Sequence, residues 1–416
     1  MDSGRIIRFK LSVFGRKNQR YKSRQLIYFH FLSYFIKRKS KRSRDLLFLP
    51  LVKLFQIKMI KMRATLILFV VLSQVMTTQP IYSKDTPKGK EQGNVTFVDK
   101  SDQKQVDVMM DGKLFTTYRW PDNVMKPVLY PVITASGTEV TRGYPLKPRE
   151  GERTDHPHHI GIWFNYGDVN KLDFWNNSTA IPADKKNEYG TIYHKTIEKK
   201  EGGKGHGVLV TTDSWDGPDG KQILADKTEL HFINQGDIRI IDRVTILTAG
   251  NTPVSMADNK EGLIGMRVAR QLELPSKDQV TLTDAKGNPT TVKSMSNEGV
   301  TGSYRSSEGI KDDAVWSTRG KWVDLNGTIG NDKVSIIMLD HPKNIGYPTF
   351  WHARGYGLFA ANPLGWSIFT KGKETLNFII PAGKSVTFRY RLVIHNGSDL
   401  TDEAINVLAE DFAKKY

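Results

Sequence analysis

ELHFINQGDIRIIDRVTIL, residues 229–247, decides the fold class. Glu229–Asn234 and Ile238–Leu247 read as two strands, and Gln235-Gly236-Asp237 between them reads as a turn, so the stretch folds back on itself as a hairpin. Outward from it the same grammar recurs. Asp111-Gly112 joins Val106–Met110 to Leu114–Tyr118 and is a strong two-residue hairpin signal. Val386–Ile394 places Val386, Phe388, Tyr390 and Leu392 opposite Thr387, Arg389, Arg391 and Val393, the two-residue period of a strand with one face buried. Val95–Asp99, Val128–Thr134, Thr191–Ile197, Val208–Asp213, Met266–Leu274, Val280–Thr283, Trp322–Leu325, Val334–Leu339, Trp366–Thr370 and Leu376–Ile380 continue the series. About fifteen short strands with no βαβ alternation predict an all-β chain, a large antiparallel β-sandwich. A single amphipathic helix is predicted from Thr401 to about Lys415. Its acidic first turn, Asp402 and Glu403, suits the helix dipole, and Ile405, Leu408 and Phe412 share one face.

Charge is distributed unevenly. The 416-residue chain carries a formal +17, but residues 1–83 hold 18 Lys/Arg against 2 Asp/Glu, and residues 84–416 hold 43 against 42. The body therefore has no electrostatic footprint for nucleic acid or anionic lipid. Residues 59–83, MIKMRATLILFVVLSQVMTTQPIYS, have a basic start, an apolar run and a polar end, the order of a cleavable signal peptide. Export to the periplasm or the extracellular space follows. Residues 1–58 are then a basic extension outside the fold, with translation starting at Met59 or Met62, 84–94 a polar lead-in, and 95–416 one sandwich domain. No run after Ser83 is long enough to span a bilayer. The chain has no Cys, which excludes disulfides, thiolate catalysis and Cys-ligated metal. Serine-hydrolase, P-loop, dinucleotide-fingerprint and zincin motifs are absent.

Ionisable groups cluster in four places. Asp155-His156-Pro157-His158-His159 precedes Trp163 and Trp175. Pro157 favours extended backbone at His156, and an extended segment puts His156 and His158 on one face and His159 on the other. Such a pair suits a metal or acid–base work on a sugar; hydrogen-bonded surface histidines are the plainer alternative. His341, Trp351, His352, Arg354 and Tyr356 lie in a stretch whose Pro and Gly residues read as loop. Glu261 and Arg267 flank the entry to a strand and suit a general base and a carboxylate or hydroxyl clamp. Glu308 and Trp316 mark a fourth, mixed stretch. Trp163, Trp175, Trp316, Trp322 and Trp351 could stack on sugar faces, and each equally suits core packing.

TDHPHHIGIWFNYGDVNKLDFW (154–175), DNKEGLIGMRVA (258–269), GSYRSSEG (302–309), DDAVWSTRGKWVDLNG (312–327) and HPKNIGYPTFWHARGYGLFAANPLG (341–365) resemble the blocks of the PmoA-like family. The resemblance runs from about Lys113 to Gly397. That family carries a methane oxygenase label. A membrane oxygenase subunit needs several transmembrane helices, and the body of this chain offers none, so the label is set aside. The resemblance implies an exported protein met alongside carbohydrate degradation, similar in fold to the supersandwich of galactose-mutarotase-like proteins. By role it implies His156, His158, His159, Glu261, Arg267, His341, His352 and Arg354 as acid–base and hydroxyl-holding groups. Asp155, Trp163, Trp175, Glu308, Trp316, Trp351 and Tyr356 are then expected to contact the substrate. The expectation is a carbohydrate-active enzyme acting on a small sugar without a cofactor. A glycan-binding module is one rival. The other is a metalloenzyme holding a divalent ion through His156, His158 and His352.

Overall fold

A computed structural model describes residues 93–416; residues 1–58 and the signal-like 59–83 lie outside the described residues. Two antiparallel sheets face each other. One has nine strands in the order Phe350–Arg354, Leu358–Asn362, Ile264–Arg267, Ile162–Phe164, Val128–Val132, Lys113–Arg119, Gln105–Met110, Asn94–Lys100 and Gly203–Lys204. The other has eight, in the order Ser303–Ser306, Trp322–Ile329, Asp332–Asp340, Ser385–Asn396, Ile238–Ala249, Gln222–Gln235, His206–Asp216 and Thr191–Glu201. The hairpin at 229–247 forms as its sequence dictates, with Gln235 opposite Ile238 and Gly236 at φ 78°.

Side-chain alternation sorts residues between the inter-sheet core and the outer faces. Ile162, Phe164, Ile264, Met266, Trp351, Ala353, Phe359 and Ala361 enter the core. Their neighbours Trp163, Leu358 and Ala360 belong to a separate apolar cluster on the outer face of the nine-stranded sheet. The outer face of the eight-stranded sheet is covered by the C-terminal helix Asp402–Lys415, whose Ile405 and Phe412 pack against Ile240, Trp322, Ile337 and Val393. Thr401 caps that helix by accepting from the Ala404 N–H. Arg391, fully buried, grips Asp242 with two nitrogens and also donates to the Leu408 carbonyl, tying the helix down. No helix among the described residues is long and apolar enough to cross a membrane.

Three local expectations are corrected. Trp366–Thr370, predicted as a strand, is a helical turn, Trp366–Phe369. The Asp258 carboxylate accepts from the Ser367 N–H at 2.9 and 3.0 Å and so satisfies a donor of the first turn that no local side chain reaches. Met266–Leu274 is strand only through Arg267 and then winds into a 3-10 turn at Arg270–Leu272. The stretch around His352, read as loop, is a hairpin. Phe350–Arg354 pairs with Leu358–Asn362 around Gly355-Tyr356-Gly357, and Gly357 closes the turn at φ 90°, which only glycine adopts freely.

Candidate functional site

The outer face of the nine-stranded sheet gathers the candidate residues by register. His352 lies opposite Ala360, Ala360 opposite Gly265, and Gly265 opposite Trp163. One step along the pleat, Arg354 lies opposite Leu358 and Leu358 opposite Arg267. Two rows thus carry His352, Trp163, Arg354 and Arg267 on one surface. Gly265 has to be small there: a methyl group on it would meet the Trp163 indole at 2.5 Å.

The His-Pro-His-His segment lies over this surface, and it is a turn rather than the strand expected. His156 sits at φ 44° and accepts from the His159 N–H at 3.0 Å. The cause is Arg142. Its buried guanidinium donates to the carbonyls of Arg153, Asp155, His156 and His159, so the chain winds around it. The turn brings all three imidazoles together instead of dividing them between two faces. The His156 ring stacks on His159 at 4.9 Å and on Tyr356 at 5.1 Å; His158 meets His159 edge-on at 4.3 Å. His159 stacks in turn on Trp163 at 5.0 Å.

Asp155 is the electrostatic centre. Its Oδ1 accepts from Arg142 at 2.8 Å and from Arg267 at 2.7 Å. Burial opposes its ionisation, but the His156 contact and the two guanidiniums outweigh burial and hold the carboxyl well below the usual range. Asp155 is therefore a permanent anion that neutralises buried arginines, not a proton donor. Arg267 is wholly buried and reaches His159 Nδ1 at 3.2 Å, so it positions the turn. The substrate clamp expected of it has no free face. His352 and Glu261 meet at the other end of the row, with Nδ1 and Oε2 3.9 Å apart. The Lys260 backbone hydrogen-bonds the imidazole, and Nδ1 has no protein partner. Lys260 pairs with Glu261 at 2.6 Å.

Burial pushes the His352 ring down to about 3, and Lys260 and Arg354 add to the effect. Burial and Lys126 push His158 to about 2, and burial also takes His159 well below its ordinary value. These three rings are thus neutral at pH 7 and still neutral at pH 5, where a free imidazole, titrating near 6.5, is mostly charged. Nitrogen-15 spectra of the histidine rings should show no protonation of His158, His159 or His352 between pH 7 and pH 5. Titration of any of the three near pH 6.5 would contradict this environment.

Unpartnered polar atoms concentrate here. His158 Nε2, His159 Nε2, His352 Nδ1 and the indole nitrogens of Trp163 and Trp175 are buried without a hydrogen-bonding partner in the protein. Buried polar groups are normally satisfied, so this grouping marks a place where a polar ligand or water has work to do.

Not every expected residue belongs. His341 follows a strand of the opposite sheet and meets Phe412 of the C-terminal helix edge-on at 4.9 Å, so the other layer of the sandwich separates it from the cluster. Its place in the acid–base set is withdrawn. Trp351 points into the core and donates to the Gly320 carbonyl. Trp163 and Trp175 are wholly buried beneath His159 and cannot offer a face to a sugar. Glu308 is exposed and accepts from the Ser307 hydroxyl, with no contact to the cluster. Trp316 reaches the site through Arg354, 5.3 Å from its ring, and through Phe369, which packs between it and His352. Among the described residues no three His, Asp or Glu groups are arranged to hold a metal. His156, His158 and His352 are not such a group in the structure.

Two residues were missed. Arg142 organises the turn, and buried Lys126 donates to the His158 carbonyl at 2.8 Å. Burial pushes the Lys126 ammonium down to about 7 against the pull of Asp173. Isolated basic residues in unremarkable contexts gave no signal for either role.

The chain belongs to the family described as a family of unknown function (DUF6807), which it matches over residues 105–410. No curated protein matches it. Among solved structures it is similar to the GH36 α-galactosidase AgaA from Geobacillus stearothermophilus, with 10% identity over 73% of this chain and 41% of that one and a TM-score of 0.34. It is also similar to a galactose mutarotase-like protein from Clostridium acetobutylicum, with 8% identity over 73% of this chain and 98% of that one and a TM-score of 0.28. The chain spans about two fifths of the galactosidase's length. At these scores neither likeness says anything about activity.

Proposed function

We propose that this chain is an exported carbohydrate-active enzyme that moves a proton on a sugar or sugar derivative with His352 and Glu261. The observation that carries the reading is the pair of proton acceptors 3.9 Å apart, one of them an unpartnered imidazole nitrogen, beside a cluster of neutral histidines on one sheet face. A sugar hydroxyl or acidic C–H placed beside them would give its proton to His352 Nδ1. The Glu261 carboxylate would stabilise the imidazolium that forms, with the substrate group lying beside the line that joins the two atoms. His158, held neutral, lines the approach with His156 as hydrogen-bonding groups. Asp155, Arg142, Arg267 and His159 hold them in place. The depressed imidazoles carry no imidazolium proton at pH 7, so the acid role that the mutarotase analogy assigns is not open to them. The PmoA-like likeness and the signal-like residues 59–83 support export and a carbohydrate setting; both rest on sequence alone.

The rival glycan-binding reading needs exposed coplanar aromatics, and Trp163, Trp175 and Trp351 are wholly buried. A panel of free sugars, glycosides and sugar acids, followed by proton NMR for epimerisation, elimination or hydrolysis, tests the proposal. One class of sugar should be turned over, with loss of turnover in His158→Ala. A panel in which nothing is bound or turned over would overturn it.

A further inference from the structure

Building on that sugar-handling reading, we infer that the ligand carries a carboxylate and that Arg354 is the residue that receives it. Arg354 ends the strand Phe350–Arg354 on the outer face, in the cross-strand row that leads to Arg267. Its guanidinium carbon lies 5.3 Å from the centre of the Trp316 ring and 5.8 Å from that of Tyr356. Two aromatic faces hold the guanidinium plane while leaving its N–H edge unused. Some arginines of the fold hold an anion, as Arg153 holds Glu273, Arg305 holds Asp324 and Arg391 holds Asp242, and others, Arg239 and Arg319 among them, donate to carbonyls. Arg354 has none among the described residues, and its side chain enters no hydrogen bond there.

Two of the neighbouring carboxylates are committed elsewhere. Asp155 is shared by Arg142 and Arg267, and Glu261 is held by Lys260. Asp313 lies against Gly355 but forms no ion pair with the guanidinium. Around the cluster Arg142, Arg153, Arg267, Arg354 and Lys260 stand with Asp155, Glu152, Glu261, Glu273 and Asp313, and burial pushes Lys126 down to about 7. The charges of the cluster nearly cancel, so the guanidinium of Arg354, which enters no ion pair, is what favours an anionic ligand at this end of the face. A half-buried, pre-oriented guanidinium fork matches the planar, singly charged carboxylate through two parallel hydrogen bonds. A dianionic phosphate calls for more than one unpaired cation. The ligand class is therefore an acidic sugar, a uronate or a related sugar acid.

Isothermal titration of the full chain at pH 7 decides it. The probes are glucuronate, galacturonate and mannuronate, their neutral parents glucose, galactose and mannose, and the three hexose 6-phosphates. At least one uronate should bind about tenfold or more tighter than its neutral parent, about 1.4 kcal/mol. Arg354→Gln should bring that uronate down to the affinity of the neutral sugar. Arg354→Lys, which keeps the charge but loses the planar fork, should fall between. Equal affinities, a preference for the 6-phosphates, or a uronate preference that survives in Arg354→Gln would overturn the inference while leaving the sugar-handling reading standing. Binding of none of the nine would bring down that reading, and this inference with it.

Discussion

Replacing Glu261 by Gln should lower turnover of the sugar identified in the panel by about 10²–10⁴-fold, with KM little changed. The substitution keeps the size of the side chain and removes the charge that faces His352 Nδ1 at 3.9 Å. The loss would then fall on the step in which the imidazole becomes charged, not on binding. His352→Gln should cost a similar factor. The double variant should cost little more than the worse single one, because groups that act as a unit lose their function together. Kinetic constants of the three variants check this. Additive losses, or a loss confined to KM, would show that the two residues work independently or only hold the substrate.

The second large effect is on stability. Asp155→Asn should destabilise the fold by about 3 kcal/mol, the low end of the range for leaving buried charge uncompensated. The Arg142 and Arg267 side chains are 1% and 0% exposed and share one carboxylate oxygen. Without the carboxylate, two guanidiniums stay buried beside each other with no anion between them. The Asp155 side chain keeps 31% exposure, so water screens part of the penalty. Urea denaturation of wild type and variant measures the change. A difference under about 1 kcal/mol would show that water, not Asp155, neutralises the pair.

Much of the fold was legible because alternation is a local property. The hairpins at 111–112 and 235–237 and the helix from Thr401 carry their own turn and capping chemistry, and each forms where it was read. The misreadings share one cause. Trp366–Phe369 turns helical because a distant carboxylate, Asp258, receives its N–H. His156 leaves the extended region that Pro157 favours because Arg142 collects four carbonyls around it. Neither interaction leaves a trace near the residues it moves. The same limit governs the site. Histidine density at 156–159 drew attention to the right segment, but its geometry came from an arginine fourteen residues earlier. His341 looked equivalent to His352 in sequence, although its strand belongs to the other sheet. The tryptophans marked the region and misled on role, since residue type does not reveal which face of a strand is covered.

Ring nitrogens of labelled histidine, followed while the bound sugar is titrated in, test the shared site most directly. The rings of His156, His158 and His352 should shift along one binding curve while His341 stays still. A sugar that binds and shifts His341 alone, or leaves the three cluster rings unmoved, would show that the turn and the hairpin do not form one ligand site.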